Sequence, residues 1–150
     1  MVTLIARSKI VEVARGWVGI PYLHQGRTRR GIDCIGLIVE VAVGLGVDVP
    51  LIPNNYPENP SSNLLVASCE THLRKAADDQ KLIPGSIALL WGFDRGMAQH
   101  FAIIGEVAGR PTMIHAFSKR RQVVEHGWDE FWMKRFVRVY EYPGTQAGSV

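Results

Sequence analysis

The order of the hydrophobic patterns along this chain constrains its fold more than any other feature of the sequence. Up to about residue 80 the apolar residues recur at helical spacing. After Pro84–Ser86 they alternate or form short runs, in the segments IALLW, HFAIIGEV, TMIHAF, RQVVEH and RFVRVYEY. Helices followed by mostly antiparallel strands predict an α+β fold, in which N-terminal helices pack on an antiparallel sheet.

Two of the three predicted helices begin at a serine. Ser8 is expected to cap the first helix, whose inward face would carry Ile10, Val13, Ala14 and Trp17. Ser61 or Ser62 is expected to start the third, which would run to Gln80 with Leu65, Cys69, Leu73 and Ala76 inward. The segment between the second and third helices contains four prolines over residues 48–62 and predicts a long ordered loop.

The second predicted helix carries the residue of greatest chemical interest. Asp33 is a good N-cap, and the helix would run to Gly46 with its apolar residues at helical spacing. Glu40 is the one charged residue between Cys34 and Val47, so the helix is expected to be buried on nearly all sides.

Cys34 lies in the first turn of that helix, where free N–H groups and the helix dipole stabilise a thiolate. Three arginines just upstream would add to the positive field: Arg27, Arg29 and Arg30. We expect Cys34 and Cys69 to be free thiols, because disulfides are rare in a reducing cytosol. Cys34 is therefore a candidate nucleophile, and the alternatives are a small core residue or a metal ligand.

A cysteine nucleophile needs a base, and two histidines of the strand half are candidates. His100 in QHFAII and His115 in TMIHAF each share a strand face with apolar neighbours. A loop centred on Val107–Ala108 would set them directly opposite each other, whereas a tight turn at Gly109–Arg110 would offset them by four residues. Pro111 cannot donate to a strand ladder, so we favour the wider loop.

The other candidates are weaker. Cys69 and His72 have metal-ligand spacing without a second pair, so no zinc site is predicted there, although Cys34, His100 and His115 together could hold a metal. His24 and His126 are interpreted as exposed residues. The aromatic residues after the last histidine, Trp128, Phe131 and Trp132, are interpreted as a packed helix.

Length and composition limit the kind of protein. With 150 residues, 47% of them hydrophobic and 21% charged, the chain predicts one ordered domain over residues 1–150. The net charge of +3 is mild and does not suggest a nucleic-acid partner. The charged residues Arg7, Lys9 and Glu12 interrupt the first apolar stretch, and no run reaches transmembrane length. We therefore expect synthesis in the cytoplasm without a signal peptide, and no membrane partner.

Four segments taken together resemble the NlpC-type cysteine peptidases, which are papain-like enzymes of bacterial cell-wall turnover and of phage tails. They are GIPYLHQGRTRRGIDCIGLI, PGSIALLWG, QHFAII and MIHAF. The HQGR variant and the later segment VVEHGWDEFWMKRFVRVYEYP are similar to the phage-associated branch. The resemblance implies a single papain-like domain in which a helix carrying the nucleophile packs against an antiparallel sheet carrying the bases.

The resemblance also implies roles for individual residues. Cys34 matches the nucleophile, His100 the general base and His115 the residue that orients the imidazole of the base. Tyr22 matches a tyrosine near the family's oxyanion site. Two positions depart from the usual pattern: Ile35 stands where serine is common, and Ser86 stands where aspartate is usual.

The implied reaction is hydrolysis of an amide bond in peptidoglycan stem peptides, at the bond between D-glutamate and diaminopimelate, through an acyl-enzyme and without a cofactor or metal. Arg27, Arg29 or Arg30 would receive carboxylates of the stem peptide. A chain without an export signal would reach this substrate from a virion, through a holin-type route or after lysis. The alternatives are a phage tail component with tail proteins as partners and an idle site, or an amidase or acyltransferase.

Overall fold

Helices and strands follow one another in the order expected from the sequence. The computed structural model describes residues 4–50, 62–76, 82–91 and 98–148. The helices are α1 (Arg7–Arg15), α2 (Cys34–Gly44), α3 (Ser62–His72) and α4 (Glu130–Met133), with a 3₁₀ turn at Ser118–Arg120. The strands are β1 (Arg27–Thr28), β2 (Gly31–Ile32), β3 (Arg74–Lys75), β4 (Ile87–Trp91), β5 (Ala98–Val107), β6 (Arg110–Phe117), β7 (Gln122–Gly127) and β8 (Phe136–Glu141). Within the described ranges, no helix has the length and apolar character needed to cross a membrane.

Six of the strands form one antiparallel sheet, in the order β3-β8-β4-β5-β6-β7. The remaining two, β1 and β2, form a small hairpin ahead of α2. α1, α2 and α3 precede the large sheet and contact its strand β5. The predicted α+β fold, with N-terminal helices packed on an antiparallel sheet, is confirmed.

The sheet divides the apolar interior into two clusters. The larger one joins the helices to one face of the sheet and includes Ile10, Ala14, Leu37, Ile38, Val41, Leu65, Ile87, Leu89, Phe101, Ile103 and Ile114. The smaller one covers the opposite face, where α4 contributes Trp132 to Ala88, Leu90, Ala102, Ile104 and Met113. Because side chains alternate along a strand, neighbouring residues of β5 serve different clusters.

The start of α2 agrees with the prediction from the sequence. Asp33 is the N-cap, and its Oδ1 accepts a hydrogen bond from the backbone N–H of Gly36 at 2.7 Å. Its Oδ2 accepts one from the backbone N–H of Gln25 at 2.8 Å, which links the helix to the preceding loop. Gly36 is needed at this point, because a Cβ there would lie 2.3 Å from the carbonyl oxygen of Gly26.

The ends of the other two helices differ from the prediction. Helix α1 starts at Arg7 with Ala6 as its N-cap and no side-chain cap, so Ser8 lies inside the helix. Helix α3 stops at His72 rather than at Gln80, because Arg74 and Lys75 leave the helix to pair with β8. Residues 51–61 of the predicted loop and residues 77–80 of the predicted third helix lie outside the described residues.

The β5–β6 hairpin has neither of the turns considered from the sequence. Its two turn residues are Ala108 and Gly109, with φ of 52° and 78°, and Val107 pairs with Arg110. These dihedrals suit the right-handed twist of a two-residue hairpin. The objection raised by Pro111 disappears, because pairs alternate along an antiparallel ladder and its pair with Glu106 is not a hydrogen-bonded one.

A segment ahead of β1 runs along the outer edge of β7. The N–H of Gly19 donates to the carbonyl of Val123 at 2.9 Å, and the N–H of Val123 donates to the carbonyl of Ile20 at 2.9 Å. The N–H of Tyr22 donates to the carbonyl of Arg121, also at 2.9 Å. Residues 19–22 are therefore tied to the strand that ends the sheet.

Candidate active site

The first turn of α2 places Cys34 against strand β5. The backbone N–H groups of Phe101, Ile35 and Cys34 itself lie close enough to the thiol of Cys34 to lower its pKa. Phe101 directly follows His100 along β5, so the sulfur lies beside the strand backbone one residue away from the candidate base. Cys34 keeps part of its surface exposed, whereas Cys69 is fully buried, and both are free thiols, as expected.

The expected thiolate is not the resting form of Cys34. Burial raises the pKa of the thiol to about 12, and the nearby carboxylate of Asp33 raises it further. The N–H groups of Cys34 and Ile35 at the helix start, and that of Phe101 on β5, act in the opposite direction, but they do not outweigh the loss of solvent. The structure thus favours a neutral thiol that gives up its proton only when a base takes it.

Three histidines form a continuous chain across neighbouring strands. The Nε2 of His100 on β5 lies 2.7 Å from the Nδ1 of His115 on β6. The Nε2 of His115 lies 2.8 Å from the Nε2 of His126 on β7, and the Nδ1 of His126 lies 3.0 Å from the carbonyl oxygen of Gly127. The predicted contact between His100 and His115 is therefore confirmed, whereas His126 is not the isolated surface residue expected from the sequence.

Strand register explains these contacts. The β5–β6 ladder pairs Ile103 with Ile114, which leaves His100 and His115 offset by two residues on one face. The β6–β7 ladder pairs His126 with Met113, which produces the same offset between His126 and His115. Diagonal neighbours of this kind lie within reach of ring side chains.

An aromatic cluster encloses the central imidazole. His115 is completely buried, and its ring stacks on that of Phe117 with the centroids 5.0 Å apart. The indole of Trp132 lies 5.1 Å from the ring of His115 and 5.9 Å from each of the other two imidazoles. Trp132 therefore belongs to a packed helix, as expected, and it also forms one wall of the site.

Burial keeps the imidazoles of His100 and His115 neutral. It lowers the pKa of His100 to about 4, and the positive charge that His126 can carry lowers it further. It lowers the pKa of His115 well below the ordinary range, with further lowering by charge on His100 and on His126. At neutral pH the candidate base His100 and the thiol of Cys34 are thus both neutral.

The candidate substrate-binding residues are distributed around the start of α2. Tyr22 forms a backbone bridge with Ile32, two residues before Cys34. Arg27 and Arg30 lie in the β1–β2 hairpin, partly buried and exposed respectively. The guanidinium of Arg29 lies 3.7 Å from the ring centroid of Trp17 and donates to the carbonyl of Gly16 at 2.5 Å. Arg29 therefore contacts the end of α1.

The sequence contained only part of the signal for His126. The alternation of RQVVEH places it on the same face as Val124, but its approach to His115 depends on the β6–β7 register. The 3₁₀ turn that sets this register ends at Arg121, a non-glycine residue with φ of 59°. Such a turn has no strong sequence signature. Across the described part of the chain, no group of three or more histidine, cysteine, aspartate or glutamate side chains is arranged to hold a metal ion.

A cysteine at a helix start, placed against an antiparallel sheet that carries paired imidazoles, defines an α+β domain of the papain-like class. The sequence model of the NlpC/P60 family matches residues 19–141. The chain therefore belongs to the NlpC/P60 family.

Individual relatives agree with this assignment. The chain is 30% identical over 123 residues to a protein of Escherichia coli (strain K12) named "Probable endopeptidase NlpC", covering 81% of this chain and 69% of that protein. An NlpC/P60 family protein from Bacillus cereus ATCC 10987 superposes with a TM-score of 0.66 at 20% identity, over 94% of this chain and 41% of that one. The NlpC/p60 domain of the peptidoglycan hydrolase SagA superposes with a TM-score of 0.56 at 24% identity, over 82% and 90% of the two chains. The chain thus spans less than half of the Bacillus cereus protein.

Proposed function

We propose that this protein is a cysteine endopeptidase that hydrolyses an amide bond in peptidoglycan stem peptides. One observation carries the proposal: the thiol of Cys34 is near the backbone N–H of Phe101, the residue after His100 on β5, and the imidazole of His100 lies 2.7 Å from that of His115. A nucleophile, a base and a group that orients the base are the parts that acyl transfer requires. Membership of the NlpC/P60 family, with a relative named as a probable endopeptidase, supports the same reaction.

The neutral resting state determines the order of events. His100 takes the proton of Cys34 while the sulfur attacks the amide carbonyl, because neither the thiolate nor the imidazolium is stable beforehand. The tetrahedral intermediate collapses to an acyl-enzyme, and the protonated His100 gives its proton to the leaving amine. Water then attacks the acyl-enzyme with His100 again acting as base. Tyr22 is proposed to lie near the developing oxyanion.

The proposed bond joins D-glutamate to diaminopimelate, whose flanking carboxylates suit a cationic cleft. Arg27 and Arg30 are the better candidates to receive them, because the guanidinium of Arg29 lies on Trp17.

Digestion of purified peptidoglycan, followed by mass spectrometry of the soluble products, tests this proposal. The wild-type protein should release peptides that begin with a free amino group on diaminopimelate. Cys34→Ala should release none, and Cys69→Ala, which removes the other thiol, should behave as the wild type. Release of the whole stem peptide would identify an amidase instead. A folded wild-type protein without any product would favour an assembly role with an idle site, to be tested by binding to phage tail proteins.

A further inference from the structure

The row of three histidines ends at the carbonyl group of Gly127, which fixes the direction in which the hydrogen bonds along the row are donated. The carbonyl oxygen of Gly127 can only accept a hydrogen bond, and the Nδ1 of His126 lies 3.0 Å from it. The Nδ1 of His126 must therefore carry a proton. In a neutral imidazole only one nitrogen is protonated, so the Nε2 of His126 is left as an acceptor.

The same logic passes through the other two rings. Because the Nε2 of His126 accepts, the Nε2 of His115, 2.8 Å away, must donate. The Nδ1 of His115 is then an acceptor, and the Nε2 of His100, 2.7 Å away, must donate to it. His100 is left with its Nδ1 unprotonated and is thus ready to take a proton. One backbone carbonyl accounts for the protonation of three imidazoles.

The surroundings of the chain keep this arrangement in place. His115 is completely buried, and both of its ring nitrogens lie within hydrogen-bonding distance of another histidine. His126 is partly exposed and lines a cavity of about 480 Å³ with the aromatic residues Phe117, Trp128, Phe131 and Trp132. The charged residues that line the same cavity are Arg120 and Asp129. His126 therefore lies between the enclosed part of the chain and an open cavity.

We propose that His126, held by the Gly127 carbonyl, is a positioning residue that sets the tautomers of His115 and His100 and thereby keeps the Nδ1 of His100 free to act as the base. The base function of His100 rests on the proposed peptidase activity. The tautomers themselves do not, because they follow from the three distances, the acceptor-only carbonyl of Gly127 and the neutral form of the rings.

Nuclear magnetic resonance of the protein labelled with ¹⁵N-histidine tests the tautomers directly. At pH 7.5, roughly one unit above the ordinary histidine pKa, two-bond ¹H–¹⁵N correlations should show His126 protonated at Nδ1, and His115 and His100 protonated at Nε2. Protonation of neutral His126 at Nε2, or of neutral His100 at Nδ1, would overturn the inference whether or not the protein has activity.

Matched variants test the consequence for catalysis. His126→Gln keeps an acceptor oxygen near the position of the Nε2, whereas His126→Met has the same length and a far weaker acceptor. We expect His126→Met to lower kcat about tenfold, which is the equivalent of one net hydrogen bond, with little change in KM. His126→Gln should retain most of the wild-type kcat. In spectra of His126→Met, His115 should show both tautomers.

The control variant is His72→Gln. His72 lies on α3 and does not belong to the row of three histidines, so this variant should leave kcat unchanged. Equal kcat for the wild type and a folded His126→Met variant would refute the positioning role. Complete inactivity of the wild type would refute the peptidase proposal instead, and the tautomers measured in the wild type would still decide whether His126 sets them. Melting temperatures of the variants separate loss of the fold from loss of the tautomer.

Discussion

At the scale of single residues, Cys34 is a neutral thiol where the sequence suggested a thiolate. The position of Cys34 at a helix start predicted a thiolate, and the N–H groups needed for it are present. Burial and Asp33 outweigh them, because a helix start stabilises charge by only about 1 kcal/mol at exposed sites, whereas desolvation costs more. The helix start and the burial of the helix could be read from the sequence, but the balance between burial and the N–H groups at the thiol could not.

The proposed base His100 and its neighbour His115 should respond differently to substitution. His100→Ala removes the proposed base and should abolish turnover, because no other group would take the thiol proton. His115→Gln should retain part of the activity, since its amide can still hydrogen-bond the imidazole of His100, and His115→Ala should retain less. Rates of peptide release by folded variants check this order. Full activity of His115→Ala would remove it from the site, and normal activity of His100→Ala would end the proposed mechanism.

At the scale of elements, the hydrophobic periodicity predicted most of the helices and strands. The features that it missed, strand β3 and the turn between β5 and β6, depend on the pairing of strands and on backbone conformation. The spacing of Ile10, Leu37 and Leu65 identified helices that bury these residues against the sheet. β3 was missed because two residues carry no periodic signal, and it forms only by pairing with β8. The hairpin turn was misplaced because Ala108 adopts a left-handed conformation that alanine seldom takes.

One buried carboxylate joins three of these elements. Glu141 on β8 is 2% exposed and accepts hydrogen bonds from Arg7 on α1, at 2.5 Å, and from Arg74 on β3. Arg7 also donates to the hydroxyl of Ser86 at 3.4 Å, and Ser86 stands at the position where the resembled family usually has aspartate. The carboxylate that pairs with Arg7 is thus supplied by Glu141 on β8 and not by residue 86.

Removing the charge of Glu141 should destabilise the fold strongly. We expect Glu141→Gln to lower the free energy of unfolding by roughly 3 kcal/mol, because two arginines would lose their shared anion in a buried setting. The matched control is Glu130→Gln, since Glu130 forms an exposed pair with Lys134 and should contribute little. Urea unfolding of the three proteins measures both effects. Equal midpoints for Glu141→Gln and the control would show that the network adds no stability.

At the scale of the whole molecule, buried neutral histidines make the fold sensitive to acid. The folded-state pKa of His100 is about 4 and that of His115 is lower, because burial opposes the charged form. An unfolded chain binds protons at these positions below about pH 6.5, whereas the folded protein does not. Their contribution to stability is therefore complete above pH 6.5 and is lost as the pH falls towards 4.

Unfolding at a series of pH values checks this sign. Between pH 6.5 and 4.5 each histidine should reduce the free energy of unfolding by roughly 1 kcal/mol per pH unit, whereas stability should change little between pH 7 and 8. His115→Gln should show a shallower fall, because it removes one of the two groups. A wild-type free energy of unfolding that stays constant down to pH 4.5 would contradict the neutral state of His100 and His115.

The segment at residues 19–22 has a further consequence for the molecule as a whole. β7 is the last strand of its sheet, and an unpaired strand edge is a template on which other chains can aggregate. The N–H groups of Gly19 and Tyr22 and the carbonyl of Ile20 form hydrogen bonds to that edge between Arg121 and Val123. Residues 19–22, which lead towards the nucleophile, therefore also protect this edge from pairing with other chains. Substitutions in this segment that leave catalysis intact in dilute solution can still lower the solubility of the protein.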